Sequence, residues 1–245
     1  MKRKFFIIVV VVVLAIVACI VLHAAFEMGE HEDKLWLHRC NSMEKLREKV
    51  GDYPNVEIDV IYRSCGIFDV THDAGTTFWL PLDSFFNYMS KRDGHMWLDV
   101  KNLNRENADA MLADMDSLTD KYGIEKNRLI IESRDWRSLN LFTDEGYYMS
   151  MYVDFPKPSK LEDDEVDSCM GILNRVANAG YVKAISFPGW WYEKIKEYLS
   201  ADIDLLTWKH RTTQLELMCQ PEGLEMLDDT CLKVILVKSK GEFHR

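Results

Sequence analysis

Basic residues are in short supply in this chain. Thirty lysines and arginines stand against forty aspartates and glutamates, a formal net charge of −10 over 245 residues. Nucleic-acid binders carry a basic face, so nucleic acid is excluded as the expected partner and only a local basic pocket is left open. Paired cysteine motifs are absent too. After the N-terminal segment come Cys40, Cys65, Cys169, Cys219 and Cys231, with no Cys-x-x-Cys among them, which argues against a zinc framework. A Cys40–Cys65 bridge is open outside the cytoplasm, and most of the five are expected as buried free thiols. No Gly-x-Ser-x-Gly is present, against an α/β-hydrolase nucleophile. No Gly-x-Gly-x-x-Gly follows a strand pattern, against a dinucleotide-binding open sheet. There is no internal repeat and no low-complexity tract.

Only one long apolar run occurs, Phe5 to Leu22, behind Lys2, Arg3 and Lys4. This pattern is an export signal or a membrane anchor, at the lower length limit for a bilayer span. The basic flank stays inside, which places the remainder outside the cytoplasm, in a periplasm or at a cell surface. Ile16-Val17-Ala18-Cys19 also fits a lipoprotein cleavage box with Cys19 lipidated, although Ile20-Val21-Leu22 carries the apolar run past it. The chain divides into residues 1–26 as signal or anchor, 27–33 as a charged linker, and 34–245 as one folded domain.

Within that domain strand and helix patterns alternate. Strands are expected at 35–39, 56–60, 95–101, 128–132, 147–152, 181–186, 204–208 and 232–237, with 66–71 as a companion extended segment. Helices are expected at 43–50, 82–91, from Asn104 onward, 136–142, 161–178 with Gly180 as C-cap, 190–199 and 213–218. Alternation of this kind predicts a parallel sheet. Eight units closing on themselves give an α/β fold of the (β/α)8 TIM-barrel type, at the small end of its size range.

The chemistry is centred on Val56-Glu57-Ile58-Asp59-Val60. Alternate strand residues share a face, so Glu57 and Asp59 point together, about 7 Å apart along the strand, and the three aliphatics point away. Two carboxylates on one buried strand repel and lose solvation. A divalent cation relieves both, and oxygen ligands favour Mg²⁺ or Ca²⁺. The bland alternative is an edge strand with its acids in water. In a barrel, functional groups gather at the C-terminal strand ends. His38-Arg39, Glu57, Asp59, Asp99, Lys101, Glu132 and Trp208 all fall there, and His72-Asp73 follows the companion segment. Asp99 supplies a third oxygen ligand and shares its face with Lys101. One cation with Lys101 and Arg39 suits an anion, and His38 with His72 suits proton transfer near neutral pH. Together they suit phosphodiester cleavage. Each has a plain structural reading beside this one: His38 bonded to backbone, His72-Asp73 as a turn, Asp99-Lys101 as an ion pair, Glu132 as a supporting acid, Trp208 as packing. A carboxylate-pair glycosidase built on Glu57 and Glu132 leaves both histidines and Lys101 without a task.

The ordered set His38-Arg39, Glu57-x-Asp59, His72-Asp73, Asp99-x-Lys101 resembles the phosphatidylinositol-phospholipase-C-like phosphodiesterase superfamily, above all its glycerophosphodiester phosphodiesterase and sphingomyelinase-D-like branches. The resemblance implies a TIM barrel, a Mg²⁺ or Ca²⁺ held by Glu57, Asp59 and Asp99, and His38 and His72 as the acid/base pair. It further implies Lys101 as a phosphate contact, and Arg39 matches the arginine beside the first histidine of the glycerophosphodiesterase pattern; Arg39, Glu132 and Trp208, at the same barrel mouth, are expected to contact the substrate beside Lys101. The implied substrate is a phosphodiester small molecule or a (lyso)phospholipid head group. The sequence departs from the glycerophosphodiesterase pattern in three places. Cys40-Asn41-Ser42 replaces the residues after His-Arg, only a short loop separates His72 from Pro81, and Asp99 stands where Glu is usual. His38-x-x-Asn41-Ser42 and Leu98-Asp99-x-Lys101 also resemble the menorin-type domain, which implies the alternative of a non-catalytic interaction barrel that keeps a metal site.

Overall fold

A computed structural model describes residues 6–19, 31–209 and 212–239 of the chain. Residues 27–30 of the expected linker lie outside the described residues, as do both ends of the apolar run. Residues 6–19 are helical, and among the described residues no helix is long and apolar enough to cross a membrane.

From residue 35 onward the strands are β1 (Leu35–Leu37), β2 (Val56–Tyr62), β3 (Phe68–Val70), β4 (Met96–Val100), β5 (Leu129–Ser133), β6 (Tyr148–Tyr152), β7 (Ala184–Pro188), β8 (Asp204–Trp208) and β9 (Leu232–Val237). All but β3 are parallel and follow one another round a closed ring, with β9 paired to β1 and β1 to β2. This is the expected (β/α)8 barrel. The companion segment is β3, which pairs antiparallel with the end of β2, Val60 opposite Val70, and stands outside the ring.

Among the described residues eight α-helices pack around it: α1 (Met43–Lys49), α2 (Asp83–Met89), α3 (Ala108–Tyr122), α4 (Trp136–Asp144), α5 (Asp163–Ala179), α6 (Tyr192–Tyr198), α7 (Gln214–Met218) and α8 (Pro221–Asp228). Local chemistry sets their ends. Ser42 caps α1 by accepting from the Lys45 amide at 3.1 Å, satisfying one of the orphan donors of a first turn. Gly180 ends α5 at φ +72°, a left-handed conformation that favours glycine.

Four expectations need correction. The helix expected from Asn104 starts only at Ala108, because Asn104 holds a turn ahead of it, its Oδ1 accepting from the Glu106 amide at 2.8 Å. The first strand stops at Leu37, because Arg39 takes φ +53° and turns the chain. The strand expected at 181–186 is β7, three residues later: Tyr181 and Lys183 are exposed, and the buried run continues to Pro188, where a proline can end a strand. Helix α8 was not expected, although Pro221 at its start and Leu224, Met226 and Leu227 mark it.

Strand alternation divides the core in two. Val56, Ile58 and Val60 are fully buried against the helical layer. The opposite face fills the barrel, where Trp36, Trp97, Ile130, Ala184, Leu206 and Val234 form a separate apolar cluster. Above that floor, toward the C-terminal strand ends, the interior becomes polar.

Candidate active site

The register that closes the barrel sets the acids side by side. Asp59 pairs with Asp99, and Asp99 with Glu132, across β2, β4 and β5. Glu57 lies two residues below Asp59 on the same face. All four are buried. Glu57, Asp59 and Asp99 each offer an oxygen, and these lie within 4.8 Å of one another.

The turn after β1 closes over this group. The Arg39 amide donates to Glu57 Oε2 at 2.6 Å, which the left-handed Arg39 backbone allows. Asn41 grips Asp59 twice: its Nδ2 donates to Oδ2 at 2.6 Å, and its Oδ1 accepts from the Asp59 amide at 2.9 Å. Lys45, buried on α1, donates to the carbonyls of His38 and Arg39, both at 2.9 Å. His38 Nε2 is 3.8 Å from Glu57 Oε2, and its buried Nδ1 has no hydrogen-bond partner among the described residues.

His72 arrives from the other side, on the loop after β3. Its Nε2 is 2.9 Å from Arg39 Nη2 and its Nδ1 2.9 Å from Asp73 Oδ1. Lys101 Nζ sits between the acids, 2.6 Å from Asp59 Oδ1 and bonded to Asp99 Oδ2. Glu132 accepts from the Ser186 hydroxyl. Tyr152 stacks on Trp208 at 5.0 Å between ring centroids, and the Arg134 guanidinium lies 5.0 Å over the Tyr152 ring. All these groups line one cavity of about 310 Å³ except Asn41, Lys45 and Ser186, which hold it from behind. All nine expected site residues are brought together there: His38, Arg39, Glu57, Asp59, His72, Asp99, Lys101, Glu132 and Trp208.

Sequence reasoning missed Arg134 and Tyr152, and the roles of Asn41 and Lys45. The period-two signal that linked Asp99 to Lys101 also links Glu132 to Arg134. No comparable signal marks Tyr152, whose partners are distant in sequence.

Electrostatics follow from packing four acids beside one lysine. Burial, reinforced by Asp59 and Asp99, raises Glu57 well above the usual carboxylate range. Glu132 is raised in the same way, by burial and then by Asp99. Burial also raises Asp99, against the pull of Lys101. At Asp59 burial is outweighed by Lys101 and Asn41, and its acidity is strengthened. Burial favours loss of the Lys101 proton, but Asp99, Asp59 and Glu57 hold it in place. His38 is pushed down to about 3 by burial, helped by Arg39, Lys238 and Lys45 and resisted by Asp59.

The donor set fits a hard cation. Three carboxylate oxygens from adjacent strands converge, and Lys101, in contact with Asp59 and Asp99, reaches Glu57 only at longer range. The cysteines take no part. All six are free thiols; Cys40 is buried, but Cys65, Cys219 and Cys231 are exposed, contrary to expectation, and Cys65 forms no bridge with Cys40.

Fold and site together define a class, the (β/α)8 TIM barrel with an acidic, histidine-flanked mouth. Solved structures similar to this chain are glycerophosphodiester phosphodiesterases, members of the superfamily the motifs resemble. One from Parabacteroides distasonis superposes with a TM-score of 0.60 at 12% identity, covering 83% of this chain and 92% of that one. A phosphodiesterase from Oleispira antarctica, solved with its product sn-glycerol-3-phosphate, gives 0.56 at 12% identity, covering 83% and 92%. No protein-family model matches the chain, and no curated protein sequence matches it.

Proposed function

We propose that this chain belongs with those enzymes as a metal-dependent phosphodiesterase that cleaves a glycerophosphodiester or a (lyso)phospholipid-type head group. The observation that carries the reading is the convergence of Glu57, Asp59 and Asp99 with His38, His72, Arg39 and Lys101 in one cavity. Glu57, Asp59 and Asp99 would hold one Mg²⁺ or Ca²⁺, which when bound polarises the phosphoryl group and offsets its charge. Arg39 and Lys101 bind the phosphate oxygens. His38, kept neutral by its surroundings, accepts the proton of the attacking hydroxyl. His72, exposed at the mouth beside Asp73, donates a proton to the departing alcohol. If the attacking hydroxyl belongs to the substrate the product is a cyclic phosphate; if it belongs to water the product is a monoester. Tyr152, Trp208 and Arg134 form the wall against which the alcohol portion rests.

In the same reading the apolar run at Phe5–Leu22 holds the domain at a membrane, facing outside the cytoplasm, as a helix or through a lipid on Cys19. The barrel then occupies 34–245.

The test is diester cleavage by the full chain in detergent, with Mg²⁺, with Ca²⁺ and with EDTA, on glycerophosphodiesters and lysophospholipids. The expected result is metal-dependent product that falls about 100-fold or more in His38→Ala and His72→Ala, as loss of a general acid or base does. Wild-type turnover in either variant defeats that assignment. One observation favours the second reading, a non-catalytic interaction barrel like the menorin type: Lys101 already neutralises Asp59 and Asp99. Tight metal binding without turnover on any diester would decide for it.

A further inference from the structure

The loop that brings His72 to the cavity also carries two aromatic side chains away from it. Phe78 is 65% exposed and Trp79 64%. Every other Phe and Trp described from residue 31 onward is buried or half-buried. Trp79 also takes φ +49°, a left-handed conformation that is an outlier for a bulky residue. Such strain persists only where neighbouring structure imposes it.

The imposing group is Asp69, fully buried on β3. Its Oδ2 accepts from the Thr77 hydroxyl at 2.7 Å and its Oδ1 from the Leu80 amide at 3.1 Å, one residue on each side of the aromatic pair. Arg63 completes the clamp. It bonds Asp69 Oδ2 through Nε and Nη2 at 3.1 and 2.8 Å, and the carbonyls of Ala74 and Thr76 at 3.1 and 2.5 Å. Both ends of the turn are fixed, so Phe78 and Trp79 are held outward in water instead of folding onto the barrel.

We propose that the Phe78–Trp79 tip is a contact for a lipid surface, which seats the mouth of the barrel on that layer. Large aromatics of this kind settle at the headgroup level of a bilayer. The tip itself is uncharged, and the one acid of its loop, Asp73, is occupied by His72. The same chain carries the apolar run Phe5–Leu22, which supplies a reason for the domain to meet a membrane. The same loop lines the cavity at His72, Asp73 and Ala74, so a seated tip brings the cavity next to lipid head groups. This deepens the phosphodiesterase reading, on which its substrate half rests: the diester is drawn from a lipid layer in preference to free solution.

The test uses the full chain with phosphatidylcholine vesicles whose acyl chains are brominated, a short-range quencher of indole fluorescence. Wild type is expected to lose a quenchable component that Trp79→Phe lacks, whatever holds the N-terminus. In parallel, the double variant Phe78→Ser with Trp79→Ser is expected to lose about tenfold or more of its turnover on vesicle-embedded lysophospholipid, the scale of one large side chain leaving apolar surroundings. Turnover on a water-soluble glycerophosphodiester and the melting temperature stay at wild-type values. Equal quenching of wild type and Trp79→Phe overturns the proposal, and so does an equal loss on both substrates. Concentration-dependent self-association that the double variant abolishes, without any quenching, assigns the tip to a second copy and overturns it as well. Quenching of Trp79 with no turnover on any diester upholds the lipid contact and removes the phosphodiesterase reading instead.

Discussion

Lys101 makes the acid cluster tolerable in the absence of a cation. Its ammonium sits between Asp59 and Asp99, and three carboxylates hold its proton. Removing a buried charge from a compensated group costs about 3–5 kcal/mol, because the partners are left unpaired. Lys101→Met should therefore melt well below wild type in EDTA. Adding Ca²⁺ or Mg²⁺ should restore most of the loss, since a ligand bound only by the folded state stabilises it by mass action. A thermal melt with and without metal checks this, and a metal-induced gain no larger than in wild type would count against a cation among these acids. The residue scale is also where the sequence was most legible. Glu57, Asp59, Asp99 and Glu132 lie on strands and Lys101 directly follows one, where period two fixes the direction of a side chain whatever its partners. The roles of Asn41, marked only as a motif residue, and of Tyr152 were not legible because they depend on contacts across the fold: Asn41 grips an acid 18 positions away, and Tyr152 stacks on a tryptophan of another strand.

At the scale of elements, β3 and its loop matter more than their three paired residues suggest. The sequence marked the segment as extended but could not show that it pairs antiparallel, because direction is set by the turn at Gly66 (φ +81°) and not by the strand's own pattern. The later half of the barrel shows the same limit, since β7 and α8 are bounded by register and packing. Asp69 is the anchor of the β3 unit. Burial opposes its charge, but Thr77, Arg63 and the Leu80 amide outweigh burial and leave it more acidic than usual. A carboxyl whose folded value is depressed stabilises the fold above its unfolded value, near 4, and loses that contribution as pH falls through the folded value. Asp69→Asn should thus cost about 3 kcal/mol at pH 7 by breaking a buried pair, a fall in melting temperature of roughly 6–12 °C for a domain of this size. The gap from wild type should narrow as the pH drops below about 4. A gap that is constant from pH 7 to pH 3 would show that the charge of Asp69 is not what anchors the loop.

Across the whole molecule, the two ends of the barrel carry opposite demands. At the N-terminal end the packing is close: a Cβ on Gly94 would come within 1.9 Å of the Pro54 carbonyl oxygen. The Arg128 guanidinium there bonds the carbonyls of Met89, Arg92 and Gly94. At the C-terminal end four buried acids share one ion-paired lysine. TIM barrels separate stability from catalysis along this axis, and active sites commonly hold groups that the fold alone would not choose. Two substitutions should therefore move in opposite directions. Gly94→Ala forces backbone apart, so it should destabilise by about 3 kcal/mol or more, as overpacking against rigid structure does. The folded fraction should keep its affinity for Ca²⁺ or Mg²⁺. Glu57→Gln keeps the acceptor for the Arg39 amide and removes a carboxyl whose folded value is raised. A raised carboxyl weakens the fold progressively as pH climbs above its unfolded value near 4, and has no such effect below it. In EDTA the variant should consequently melt at or above wild type at pH 7 and together with wild type at pH 4, while its affinity for the cation falls. Calorimetric titration and melts at both pH values decide the matter. A Glu57→Gln protein that is less stable at pH 7 without metal, yet binds it normally, would make Glu57 a structural acid and remove it from the cation site.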